Sequence, residues 1–172
     1  IETNAFNIMV AGTRQLGDTW EMEVSAAHNR VDNRDVGVSG YALTSKLTEL
    51  VETGQFNPFA APGQRGSLDS AKYQPVEKTV SILTSTEVKA SGEIAELSSG
   101  AIGMAVGVGV TQQSFKDEFD AESVAGNVFG NAGSSGKGRR DTQAIFTEFS
   151  IPVTQKLELQ VAGRYDNYSD FG

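Results

Sequence analysis

Along most of the chain, apolar and polar residues alternate one for one, the period of a strand with two unlike faces. From Trp20 onward, Trp20, Met22, Val24 and Ala26 take one side, and Glu21, Glu23 and Ser25 take the other. Further along, Val80, Ile82, Val88 and Ile94 oppose Ser81, Ser85, Glu87, Lys89 and Glu93. Stretches of this kind predict about six strands, at 6–16, 20–36, 78–96, 101–119, 142–153 and 157–168, grouped as three hairpins. Each hairpin closes over a short turn, at "LGDT", "LSSG" and "PVTQKL", whereas long polar connections at about 37–77 and 122–141 join one hairpin to the next. The first connection holds a helical period in "YALTSKLTELVET", with Leu43, Leu47, Leu50 and Val51 on one face, Ser39 or Gly40 near its start and Gly54 as its stop. The second, "NVFGNAGSSGKG", is rich in Gly and Ser and reads as irregular. The fold class that follows is all-β: an antiparallel meander with one short helix in a long loop.

The segment "AIGMAVGVGVTQQ" carries the sharpest contrast. Ile102, Met104, Val106, Val108 and Val110 form an oily row, and Gly103, Ala105, Gly107, Gly109 and Thr111 form an almost bare one. In the last hairpin, Ile145, Phe149, Ile151 and Val153 alternate with Phe146, Glu148 and Ser150, and Leu157, Leu159, Val161 and Tyr165 with Glu158, Gln160, Arg164 and Asp166. Charge thus recurs on the second face of every hairpin, and a closed core cannot hold Glu21, Glu23, Glu87, Lys89, Glu148 and Arg164 without extensive pairing. Two architectures fit. One is a one-faced soluble sheet whose oily row is an ordinary core; the other is a barrel wall whose oily row meets lipid. Short turns on one rim and long loops on the other is the outer-membrane arrangement. Trp20 beside a turn, with Tyr165 and Tyr168 toward the opposite strand ends, fits amphipathic rings at two interfaces.

Composition narrows the function classes. Lys plus Arg is 14 against 22 Asp plus Glu, a net charge of −8 with no basic block, so nucleic acid is excluded as a partner. With Cys at 0 and His28 the sole histidine, neither thiolate chemistry nor a multi-His metal site can form. The acidic clusters "DNRD" at Asp32 and "DEFD" at Asp117 lack EF-hand spacing and read as solvated loop charge. "GNAGSSGKG" misses the phosphate-loop spacing and its Ser/Thr, and "GVGVTQ" lacks the third Gly of a dinucleotide turn. A hydrolase built on His28 with Asp32 or Asp35 has no nucleophile motif to support it. The chain therefore offers no catalytic residue, no metal ligand set and no cofactor motif. No apolar run is long enough for a transmembrane helix, which leaves strands as the means of any membrane crossing. The opening "IETNAF" and the closing "QVAGRYDNYSDFG", which stops on strand-like alternation, read as the ends of a piece of a longer protein.

Four stretches in order, "GTRQLGDTWEMEVSAAHNR", "SGEIAELSSGAIGMAVGVGV", "GNVFGNAGSSGKGRRDTQAIFTEFSIPV" and "LELQVAGRYDNYSDFG", with "FNPF" in the first long loop, resemble the β-barrel of TonB-dependent outer-membrane receptors. The resemblance implies a section of a large transmembrane barrel in the outer membrane of a Gram-negative bacterium, with a plug domain elsewhere in the parent chain. It implies uptake of a scarce nutrient, such as siderophore-bound iron, cobalamin or an oligosaccharide, powered by the TonB complex acting on the plug. On this reading Ile102, Met104, Val106, Val108 and Val110 face lipid, and Glu21, Glu23, Gly103, Gly107, Gly109, Glu148 and Arg164 face the lumen and plug. Tyr41, Phe56, Phe129, Arg139 and Arg140, in or beside the outer loops, are the candidate contacts for a small-molecule or glycan ligand. The isolated chain is expected to self-associate, by pairing its strand edges or by burying apolar faces against another copy. The alternative is a soluble β-sandwich adhesion or carbohydrate-binding module, which predicts closure within the chain and a stable monomer.

Overall fold

The computed structural model describes residues 1–170; Phe171 and Gly172, on which the last resembling stretch ends, lie outside them. Strands β1 (Glu2–Leu16), β2 (Trp20–Val36), β3 (Val76–Leu97), β4 (Gly100–Phe119), β5 (Gly136–Thr154) and β6 (Leu157–Tyr168) form one sheet in sequence order. The sheet is an antiparallel meander, as the alternation predicts. The turn after β1 is built on Gly17, whose φ of 74° lies in the left-handed region that a side chain would strain. Helix α1 (Thr44–Glu52) stops where Gly54 takes φ 71°. It starts at Thr44 because the residues before it are used in pairing: Ala42 bridges Lys72, Leu43 bridges Val128, and the Leu43 amide donates to the Ala71 carbonyl at 2.8 Å. A second single-turn helix, α2 (Ala121–Val124), follows β4. Strand β5 begins at Gly136, within the Gly/Ser-rich stretch, because ladder bonding needs only a backbone and not alternation.

The chain divides into two compact units. The first comprises residues 1–4, Val31–Val80 and Phe115–Gly138, and the second Ala5–Arg30, Ser81–Ser114 and the residues from Arg139 onward. Among the described residues, the buried apolar side chains are Leu50, Ala71, Pro75 and Val128, all in the first unit. In the sheet-rich second unit, no apolar side chain is buried among the described residues. Strand β1 is exposed at every position, and on β6 only Asp166 and Tyr168 are even half-buried. The alternative of a β-sandwich is therefore not what is found: all six strands lie in one sheet, with no second sheet among the described residues to cover it.

Glycine serves the sheet as a socket for aromatic rings. In the second unit the Trp20 ring lies on Gly92, its Nε1 donating to the Glu93 carbonyl at 3.1 Å, and the Phe146 ring lies on Gly107. In the first unit Tyr41 covers Gly37 and Phe119 covers Gly133. A Cβ on Gly92 would stand 2.5 Å from Trp20 Cγ and 2.7 Å from the Thr19 carbonyl oxygen, the latter a backbone atom that cannot swing aside. A Cβ on Gly109 would meet nothing nearer than 3.7 Å. Gly92→Ala is accordingly expected to destabilise the protein by about 1–3 kcal/mol, the range for an overpacked site, while Gly109→Ala stays near wild type. Urea unfolding midpoints of the two variants check this, and equal midpoints would show that Trp20 is not held by its socket.

Candidate functional site

Two unlike surfaces are built by the second unit. The pairing of β5 with β6 sets Ile145 opposite Tyr165, Phe149 opposite Val161 and Ile151 opposite Leu159 on one face. The same register sets Phe146 opposite Arg164, Glu148 opposite Ala162 and Ser150 opposite Gln160 on the other. Strand β4 joins this scheme through its glycines. Gly107 lies under Phe146, a Cβ on Gly103 would touch Ser150, and a Cβ on Gly109 would come within 3.9 Å of the Glu87 side chain. Gly103, Gly107 and Gly109 thus share the face of Glu87, Phe146 and Arg164, and alternation puts Ile102, Met104, Val106, Val108 and Val110 opposite. Val108, Val110, Ile145 and Tyr165 line an apolar depression of about 380 Å³.

The polar face carries loose, solvated pairs. Lys89 Nζ is 3.4 Å from Glu23 Oε2, and Arg164 is fixed to Asp166 at 2.9 Å. Glu21, Glu148 and Arg164 are exposed, whereas Gly107 is buried, the space beside it filled by the Phe146 ring. On the apolar face, His28 Nδ1 meets Thr84 Oγ1 at 2.8 Å and its ring lies 6.4 Å from Phe6. These contacts give His28 a cross-strand structural role.

The ligand candidates from the sequence fall in different settings. In the first unit, Tyr41 lines a polar depression of about 150 Å³ with Asp35, Glu77, Phe119 and Asn131. Phe56 is half-buried behind α1, its amide bonded to the Leu50 carbonyl. Phe129 projects into solvent, while its amide donates to the Ala42 carbonyl at 2.8 Å. In the second unit, Arg139 pairs with Asp141 at 3.3 Å, and Arg140 pairs with Asp170 at 2.8 Å beneath the ring of Tyr168. The Gly/Ser-rich loop is tied down at its start: Thr44 donates to the Asn127 carbonyl, Ser45 to Asn127 Oδ1, and Asn127 Nδ2 to Glu122 at 2.6 Å.

The residue that organises the loops is Asp120, which its acidic neighbourhood disguises as solvated charge. Its carboxylate accepts from the Tyr73 hydroxyl at 2.7 Å, the Val76 amide at 2.9 Å, the Glu122 and Ser123 amides at 3.0 Å and the buried Ser123 hydroxyl at 2.8 Å. It caps α2 and ties the start of β3 to the end of β4. The available signal was local: Asp directly before "AES", an N-cap residue with an acid in the first turn. Desolvation raises the Asp120 pKa, but the bonds from Tyr73, Val76 and Ser123 outweigh it and hold the carboxyl well below the usual carboxylate range. The same bond to Asp120, helped by desolvation, pushes the Tyr73 phenol up to about 12.

These shifts have opposite signs on the pH axis. A depressed carboxyl stabilises the folded loops above its unfolded pKa, so that contribution disappears as pH falls below about 4. A raised phenol stabilises them below its unfolded pKa, so that contribution is lost as pH climbs from about 10 toward about 12. Amide protection at Val76 and Ser123, taken relative to intrinsic exchange at each pH, should fall at both extremes. Asp120→Asn is expected to flatten both limbs, and Tyr73→Phe to remove the alkaline one; an unchanged profile in either variant would break the assignment.

The comparisons with known proteins accord with this geometry. The family described as TonB dependent receptor-like, beta-barrel, matches residues 2–172. Comparisons with curated proteins and with solved structures gave no match. Members of the family are outer-membrane transporters of Gram-negative bacteria and work with a plug domain and the TonB system. Strands with one oily and one wet face, short turns alternating with long loops, and a match over nearly the whole chain place this protein in the TonB-dependent receptor β-barrel family.

Proposed function

We propose that these six strands are part of the wall of a receptor that takes up a scarce nutrient, with lipid against the row from Ile102 to Val110 and a plug against the row of Glu23, Gly103, Gly109, Glu148 and Arg164. The observation that carries this reading is the exposure of a continuous apolar face. Val108, Val110, Ile145, Leu159 and Val161 are each about half exposed, although the strands that present them lie in one hydrogen-bonded sheet. Half-exposed side chains of this size give up about half of the 1.5–3 kcal/mol that full burial of each would contribute, so a nonaqueous surround is the simplest explanation. The unpaired edges of β1 and β6 are completed in the same picture by neighbouring barrel strands.

The opposite face suits a filled, wet lumen. Its acids and bases are at least partly solvent-accessible, a state that water and the polar surface of a plug both satisfy. The Gly103 and Gly109 positions leave backbone accessible there, which permits close approach by another chain. Ligand recognition falls to the loops, where Tyr41 sits in a polar depression and Phe129 is presented to solvent. Siderophore-bound iron, cobalamin and oligosaccharides are the ligand classes in view.

In the intact receptor inserted into bilayers, Val106→Arg should cost about 2–4 kcal/mol if the site lies near the midplane, and Gly109→Ser far less. Similar losses for both, measured as folding free energy in lipid, would reverse the assignment of faces. Uptake is tested by growth: a strain lacking the receptor should fail on one iron chelate, cobalamin or one glycan and be restored by the wild-type gene, but not when the TonB system is also deleted. Normal growth of the deletion strain across that panel would refute nutrient import.

A further inference from the structure

At the loop ends of three strands, the first unit presents a second depression, of about 400 Å³, lined by Arg34, Val76, Lys78, Glu118, Phe119 and Asp120. Arg34 on β2, Lys78 on β3 and Glu118 on β4 occupy even positions, whereas Asp35 and Glu77 occupy odd ones and line the depression that holds Tyr41. The two hollows therefore open on opposite faces of the same strand ends.

The acids and the bases of this hollow differ in what they are already bound to. Glu118 is taken by Lys116 at 2.6 Å. Asp120 is saturated by donors from Tyr73, Val76, Glu122 and Ser123. Elsewhere on the unit, Lys46 and Lys72 sit on Glu49 and Asp69. Arg34 and Lys78 have no carboxylate within ion-pair distance among the described residues. A guanidinium fork and an ammonium left unpaired in one hollow, in a chain of net charge −8, match the geometry and charge of a phosphate group.

The face determines the source of that phosphate. Along β3, Lys78 is followed at the same parity by Val80, Ile82 and Val88, so it stands where an apolar row gives way to charge. The 22 residues of β3 span ~70 Å, well beyond an apolar band about 25 Å tall, which leaves the loop end of the strand at or above headgroup level. We propose that Arg34 and Lys78 bind the phosphate of an outer-leaflet lipid headgroup, anchoring the receptor on its outer surface; the proposal rests on the reading that this face meets lipid.

The test uses the full-length receptor in phosphatidylcholine bilayers doped with phosphatidic acid, with retained lipid counted by native mass spectrometry. Wild type should retain phosphatidic acid over phosphatidylcholine. Arg34→Gln with Lys78→Gln should lower that retention about thirtyfold, and either change alone about fivefold. The charge-preserving pair Arg34→Lys with Lys78→Arg should recover most of it, and Lys46→Gln should leave it unchanged. Wild-type retention by the double Gln variant overturns the site. Displacement of phosphatidic acid by an equal concentration of inorganic phosphate assigns the hollow to a soluble phosphate ester and overturns the lipid source. The lipid-facing reading is reported separately by the cost of Val106→Arg, so loss of that penalty and loss of phosphatidic acid binding are distinct results.

Discussion

The structure depends on a separation between the two things a fold must satisfy, its backbone hydrogen bonds and its apolar side chains. In the sheet the first is met internally, strand to strand, from β1 to β6. The second is not. Isoleucines, valines and leucines stand about half exposed along one face, and the buried apolar residues Leu50, Ala71 and Val128 belong to the loop unit. A sheet in water normally covers its oily face with a helix or a second sheet. A sheet in a bilayer does not, because the acyl chains are that layer, and it must instead leave no strand edge open to hydrocarbon.

The loop unit is the inverse case. It contains the irregular backbone, and irregular backbone demands partners that no ladder supplies. Asp120 provides them, gathering a phenol, a hydroxyl and three amides around one carboxylate, while Asn127 stitches the second loop to the start of α1. Small apolar packing at Leu50, Ala71 and Val128 completes a miniature core. These bonds preorganise the loop surface, which would lower the ordering cost of any binding there.

Glycine links the two units in chemistry, since each uses it to seat aromatic rings. Gly92 beneath Trp20 and Gly107 beneath Phe146 seat rings across neighbouring strands, and in the loops Gly37 and Gly133 seat Tyr41 and Phe119. The bare row of β4 is thus partly a packing device. Where no ring covers it, at Gly109, the backbone stays open to an approaching chain.

Strand existence, the meander, the two-faced character and the short turns were legible in the sequence, because period-two alternation is a local property that side-chain chemistry writes directly. So was the stop of α1 at Gly54, since a left-handed residue after a helix is locally encoded. The helix start at Thr44, the early onset of β5 at Gly136 and the roles of Asp120, His28 and Gly107 were decided by tertiary structure. Each depends on a partner distant in the chain: Val128 for Leu43, Tyr73 and Val76 for Asp120, Thr84 for His28, Phe146 for Gly107. Alternation announces that a residue faces one way or the other. Only the register between strands says what it meets there, because a shift of one position exchanges every neighbour while leaving the sequence pattern unchanged.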